Sequence, residues 1–260
     1  MTRRLALIAA MLAISGCGST APATGAASGV RGSITVFAAS SLTSAFTAIG
    51  RDFERANPAT KVQLVFAGSS TLVTQVQQGA AGDVFASADQ PNLQKLVDDG
   101  LTRGSSTVFA RNRLQLVVAA GNPEHISGLR DLVRPDLVIV LCAAVVPCGR
   151  YANQAFGRAG VAVKAASQET DVRAVVTKVA LGEADVGVVY VTDIKAGGPR
   201  VQGVDIPDSL NVIADYPIAI LKETTNLPAA KAFVAYVLNG SPNGNSAGQR
   251  TLRNFGFLGP

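Results

Sequence analysis

The chain has 260 residues, 48% of them hydrophobic and 16% charged, with a formal net charge of +5. That apolar content and a mean hydropathy of +0.28 exclude a disordered chain, and the length suits one large domain or two small lobes. A single His and three Cys leave no material for a His-rich metal centre, and the Lys and Arg residues form no run that marks a nucleic-acid partner.

The first elements in chain order read as an address. Arg3 and Arg4 precede a short apolar run, Leu5 to Ile14, and Ile14-Ser15-Gly16-Cys17 follows. The run is too short to span a bilayer, so residues 1–16 are expected to be a signal peptide. Small residues before a Cys resemble a bacterial lipobox, which makes Cys17 the lipidation site; the alternative is an ordinary cleaved leader with an incidental Cys. Residues 17–32 are rich in Ser, Ala, Thr, Pro and Gly and read as a flexible tether. Cys142 and Cys148 remain as an even pair in an exported domain, expected to form a disulfide, with two free thiols as the alternative.

The body then alternates strands and helices. Ile34 to Ala38 is a short apolar strand, and Leu42, Ala45, Phe46, Ile49 and Phe53 recur at helical spacing up to the stop at Asn57-Pro58. Val62 to Ala67 predicts a strand, and Ser69-Ser70-Thr71 opens a helix that ends at Gly79. A strand over Asp83 to Ser87 and a helix over Pro91 to Asp99 follow. Strands are predicted at Leu114 to Ala120, Val138 to Leu141, Asp185 to Val191 and Val212 to Leu221. Helices are predicted at Gly149 to Ala159, Asp171 to Leu181, Pro228 to Leu238 and Ala247 to Phe255. This alternation predicts an α/β fold of βαβ units with mostly parallel sheets.

Enzyme signatures are missing: the sequence has no G-x-S-x-G, no G-x-x-x-x-G-K-[ST] and no H-E-x-x-H. The lone His125 sits in a turn-rich stretch and reads as a surface residue. Tyr190 reads either as a functional hydroxyl or as a core residue with a satisfied one. What remains is a set of helix starts directly after strands, rich in hydroxyls and small residues: Ala39-Ser40-Ser41, Gly68-Ser69-Ser70, Pro147-Cys148-Gly149 and Thr170-Asp171-Val172. In parallel α/β sheets such turns gather at the carboxyl ends of the strands, where ligands bind. Each helix start carries free N–H groups and about +0.5 of a charge, so four converging starts suit a dianion. The plainer alternative is that each Ser only caps its helix, worth about 1 kcal/mol.

The blocks Ile34-Thr35-Val36-Phe37-Ala38-Ala39-Ser40-Ser41-Leu42-Thr43, Phe66-Ala67-Gly68-Ser69-Ser70-Thr71-Leu72 and Ala81-Gly82-Asp83-Val84-Phe85-Ala86-Ser87-Ala88-Asp89, with Asp171-Val172-Arg173, Gly187-Val188-Val189-Tyr190 and Asn254-Phe255-Gly256-Phe257, resemble the bacterial periplasmic molybdate-binding proteins, the substrate-binding components of molybdate ABC transporters. The resemblance implies a two-lobed periplasmic-binding-protein fold of type II, with parallel-rich sheets flanked by helices and the ligand in the cleft between lobes. It implies lobe 1 over 33–112 and 217–260 and lobe 2 over 113–216, with crossings near Asn112-Arg113 and Tyr216-Pro217.

By position in those motifs, Ser41, Ser69, Cys148, Val172 and Tyr190 are the implied molybdate-binding residues, with Ser40 and Ser70 as additional candidates. Cys148 stands where the family has a small residue donating its backbone N–H. The implied activity is binding of molybdate, and of tungstate, with no catalysis, no cofactor and no metal beyond the oxyanion itself. Sulfate or another oxyanion is the runner-up ligand, and an exported enzyme on the same scaffold is a third reading. The implied partner is an ABC permease in the cytoplasmic membrane. The protein is expected to be a monomer with no nucleic-acid partner, held by its lipid on the outer face of that membrane.

Overall fold

The computed structural model describes residues 30–238 and 246–260. The signal peptide, the Cys17 lipidation site and nearly all of the 17–32 tether lie outside the described residues. Strand β1 (Gly32–Ala39) leads through a single 3-10 turn (Ser40–Leu42) into α1 (Thr43–Ala56), followed by β2 (Thr60–Ala67), α2 (Ser69–Gln77), β3 (Val84–Ala86) and α3 (Gln90–Asp98). The long strand β4 (Thr102–Ala119) then leads to β5 (Ile139–Cys142), α4 (Pro147–Ala159), β6 (Ser167–Glu169), α5 (Val172–Ala180), β7 (Val186–Tyr190), α6 (Val191–Gly197) and β8 (Val201–Asp205). Strand β9 (Ile213–Leu221) and helices α7 (Leu227–Leu238) and α8 (Ala247–Asn254) close the chain.

Two sheets share one strand. The first has the order β2-β1-β3-β9-β4, and the second continues from β4 to β7, β5 and β6, with β8 on the other edge of β4. Strand β4 pairs with β9 as far as Arg113, opposite Ile213, and with β7 from Leu114 onward. The βαβ units pair in parallel, as β1 with β2 and β3, and β5 with β6 and β7. Every pairing of β4 is antiparallel, and so is β3 with β9. The sheets are therefore mixed, where the alternation of elements predicts mostly parallel ones; the antiparallel share comes from the long strand β4, which runs through both sheets, and from β9 beside it.

Asn211 joins those strands. Its Oδ1 accepts from the backbone N–H of Leu114 at 3.0 Å, and its Nδ2 donates to the Leu114 carbonyl at 2.9 Å. The residue is buried, so the two bonds satisfy groups that water does not reach.

The apolar stripe of α1 buries Ala45, Phe46, Ile49 and Phe53 against the first sheet and α7. Phe46 packs against Phe109 and Phe233 with ring centroids 5.6 and 6.2 Å apart, and Phe53 meets Phe233 at 5.3 Å. Burying each such ring contributes about 1.5–3 kcal/mol. On the opposite face of the same sheet, α2 and α3 cover a second cluster built from Phe37, Leu72, Val73, Phe85, Leu93 and Leu96. With both faces covered, the loops at the strand ends are left to form the site. Among the described residues no helix is long and apolar enough to cross a membrane.

Candidate oxyanion site

Four helix starts meet at one small cavity. Ala39, Ser40 and Ser41 come from the turn after β1, Gly68 and Ser69 from the start of α2, and Ala88 from the loop after β3. Val146, Pro147 and Cys148 come from the start of α4, Val172 from the start of α5, and Tyr190 from the end of β7. Five expected residues, Ser41, Ser69, Cys148, Val172 and Tyr190, thus line one space, together with Ser40. Ser70 is half-buried on α2 and does not line it. His125 lies in an exposed turn outside the cavity.

The capping alternative for the serines is tested directly by their bonds. Neither α1 nor α2 has a side-chain cap: their caps are Leu42 and Gly68. The true caps are Asp89 for α3, Asp171 for α5 and Ser246 for α8. Asp171 Oδ1 accepts from the N–H groups of Arg173 and Ala174, so its carboxylate serves its own helix. Ser69 Oγ instead accepts from the Ala88 N–H at 3.0 Å, which leaves its own proton free. Ser41 Oγ lies 3.0 Å from the Tyr216 hydroxyl. Cys148 and Val172 sit in the first turns of α4 and α5, where backbone N–H groups have no intrahelical acceptor.

Tyr190 is the telling side chain. It is 1% exposed, and its hydroxyl is the one buried side-chain polar atom without a partner among the described residues. Leaving such a group unmet costs about 1–3 kcal/mol, and the atom borders a cavity lined by donors. Burial, with Tyr216, Tyr151 and two carboxylates nearby, pushes the Tyr190 phenol well above its ordinary pKa, so it keeps its proton and offers it. Among the described residues no carboxylate side chain lines the cavity. The site is therefore built to donate and suits a group that only accepts.

Two close approaches fix the walls. A Cβ on Gly68 would fall 2.1 Å from the Thr170 carbonyl, so only glycine lets α2 reach the loop before α5. A Cβ on Gly149 would fall 2.2 Å from the Ala143 carbonyl. Beside the cavity, Arg150 Nε on α4 donates to Asp89 Oδ2 at 3.1 Å, joining the two halves of the molecule through a carboxylate with no exposure.

Cys142 and Cys148 form a disulfide that closes the loop between β5 and α4. With a sequence separation of 6, loop-closure entropy gives a stabilisation of about 2 kcal/mol. Reduction, or the double substitution C142S/C148S, is expected to lower the melting temperature by roughly 4–8 °C; an unchanged melting curve would show that the bridge adds no stability.

Sequence reasoning missed Tyr216, which, like Asn112, it used only to mark a crossing. Both are fully buried next to the site. The signal for Tyr216 was its rarity, one of four Tyr in the chain; its contact with Ser41 spans 175 residues and has no local pattern.

Two sheets sharing the strand β4, with a buried set of donors between them, define a two-lobed solute-binding protein. The chain belongs to the bacterial extracellular solute-binding proteins, whose family model matches residues 34–258. It is 42% identical over 258 residues to the molybdate-binding protein ModA of Mycobacterium tuberculosis, covering 98% of this chain and 97% of that protein. Its fold matches the periplasmic molybdate-binding protein of Azotobacter vinelandii with a TM-score of 0.74 at 19% identity, over 87% of this chain and 99% of the other. It also matches the sulfate-binding protein SubI of Mycobacterium tuberculosis with a TM-score of 0.78 at 19% identity, over 87% and 86% of the two chains. These relatives are solute-binding proteins, and the chain is one of them rather than an enzyme.

Proposed function

We propose that this protein captures molybdate, and tungstate of nearly equal size, outside the cytoplasm and delivers it to an ABC permease. The unmet Tyr190 hydroxyl at the edge of an all-donor cavity carries the reading. The identity to ModA proteins supports molybdate as the ligand. The anion takes hydrogen bonds from Ser41 Oγ, Ser69 Oγ and Tyr190 Oη, and from the backbone N–H groups of Cys148 and Val172. The helix starts add partial positive charge against the dianion, offset at α5 by its Asp171 cap. Molybdate, tungstate and sulfate are fully deprotonated at neutral pH and only accept. Hydrogen phosphate carries an O–H, and no carboxylate among the described residues lines the cavity to accept it; left unpaired, that O–H costs about 1–3 kcal/mol.

The lobes are 33–112 with 217–260, and 113–216. Strand pairing supports the first crossing near Asn112-Arg113, and the bonds of Asn211 to Leu114 favour a second crossing a few residues ahead of Tyr216-Pro217. Closure brings Gly68 to Thr170 and Asp89 to Arg150, a hinge motion with the ligand held between lobes. The basic start, the short apolar run and Ile14-Ser15-Gly16-Cys17 support lipid attachment at Cys17, with residues 18–32 as the tether to the membrane face. The molecule works as a monomer.

Sulfate is the second reading, favoured by the likeness to SubI. Donor chemistry does not separate the two anions; size does, because Mo–O and W–O bonds are longer than S–O. Calorimetric titration of the full chain with molybdate, tungstate, sulfate and hydrogen phosphate tests both readings. Tight binding of the first two alone is expected; sulfate binding as tightly as molybdate would replace the first reading with the second.

A further inference from the structure

The Ser41–Tyr216 pair poses a question of polarity. The two hydroxyl oxygens lie 3.0 Å apart in a buried setting, and either could donate to the other. If Ser41 gave its proton to Tyr216, it would turn only lone pairs toward the cavity and repel an oxyanion. The surroundings of Tyr216 decide the matter. Tyr216 is fully buried, and Ser41 Oγ is the one hydrogen-bond partner of its hydroxyl among the described residues. A phenol proton turned elsewhere would be buried without an acceptor, at a cost of about 1–3 kcal/mol, whereas Ser41 borders the cavity and has a second direction for its own proton. The Tyr216 proton therefore goes to Ser41, and the Ser41 proton is left for the cavity. Burial, with Asp193 nearby, keeps the Tyr216 phenol protonated. Ser69 reaches the same state by a different route, with the Ala88 N–H holding its acceptor side; a backbone donor cannot turn round, whereas a hydroxyl can.

We propose that Tyr216, which does not line the cavity, is the residue that fixes Ser41 as a donor and so makes the site reject oxyanions that carry an O–H. This deepens the oxyanion-binding reading and rests on it. Tyr216 is a positioning residue, because it acts only through Ser41. Without the Tyr216 hydroxyl, Ser41 is free to rotate and accept from the O–H of hydrogen arsenate or hydrogen phosphate.

The test is Tyr216→Phe, which keeps the ring against Tyr190, Phe109 and Phe257. Molybdate, sulfate, hydrogen phosphate and hydrogen arsenate are titrated into the wild type, Tyr216→Phe, Ser41→Ala and the double variant, with melting curves to confirm folding. Tyr216→Phe is expected to weaken molybdate about 2- to 10-fold, the loss of one neutral hydrogen bond, while hydrogen arsenate binds more tightly. Its preference for proton-free over protonated oxyanions thus narrows about tenfold or more. In the Ser41→Ala background the same substitution is expected to leave that preference unchanged, since no hydroxyl remains to turn. Equal weakening of all four anions, or the same narrowing without Ser41, would overturn the proposal. A wild type that prefers sulfate would sink only the molybdate reading, because the sulfate-to-arsenate ratio still measures Tyr216. A wild type that binds no proton-free oxyanion would sink both.

Discussion

Ser69→Ala is expected to weaken molybdate binding about 10- to 150-fold, the loss of one hydrogen bond to a charged ligand. The same change removes the acceptor that the Ala88 N–H now uses. Ala88 is 3% exposed, so an orphaned donor adds about 1–3 kcal/mol of lost folding stability. The two effects are separable: affinity is read by titration and stability by denaturant unfolding of the ligand-free protein. Ser70→Ala is the matched control. Ser70 is half-buried, and its carbonyl receives the Thr74 hydroxyl within α2; its side chain has no place in the cavity. Affinity within about twofold of wild type is expected for it, in line with surface changes of about 0.5 kcal/mol. If Ser70→Ala lost affinity and Ser69→Ala did not, the assignment of the second serine would be reversed.

The second large effect is on stability against pH. Asp193 lies in the first turn of α6, is 4% exposed, and its Oδ2 accepts from the Tyr190 N–H at 3.0 Å. Burial pushes its pKa up from 3.8 to about 7, against the pull of the Tyr190 N–H and Arg173. Between about pH 4 and 7 the folded protein therefore holds a proton that the unfolded chain releases. Stability contributed by this group falls as pH rises through that window and is level above it, by roughly 4 kcal/mol in all. Asp193→Asn keeps an oxygen for the Tyr190 N–H but cannot ionise. Urea unfolding at pH 5 and pH 8 is expected to show the variant gaining on the wild type at the higher pH. A constant difference between the two proteins at both pH values would contradict the account.

The sequence carried the site better than the fold around it. The four helix starts were legible because hydroxyl and small residues stand immediately after apolar strand patterns, at Ser40-Ser41, Gly68-Ser69, Pro147-Cys148 and Asp171-Val172. The disulfide was legible because its partners are six residues apart. The first half of β4 was not: Thr102-Arg103-Gly104-Ser105-Ser106 is polar and exposed along most of its length, so nothing in its pattern marks a strand. Its pairing with β9 joins residues about a hundred positions apart. Strands β6 and β8 are short and partly exposed, and α6 has seven residues, fewer than a periodicity needs to show. Tyr190 could be read from sequence as satisfied or functional; only the folded surroundings show a hydroxyl without a partner.

The central claim is that a proton-free oxyanion completes the bonding of Tyr190 from within the donor cavity. A crystal structure of the full chain soaked with molybdate, with diffraction recorded on either side of the molybdenum absorption edge, tests it most directly. The predicted result is one anomalous peak with its oxygens in hydrogen-bond reach of Tyr190 Oη, Ser41 Oγ, Ser69 Oγ and the N–H groups of Cys148 and Val172. A peak in the neighbouring cavity beside Arg173 and Arg200, with the Tyr190 hydroxyl still unmet, would contradict it.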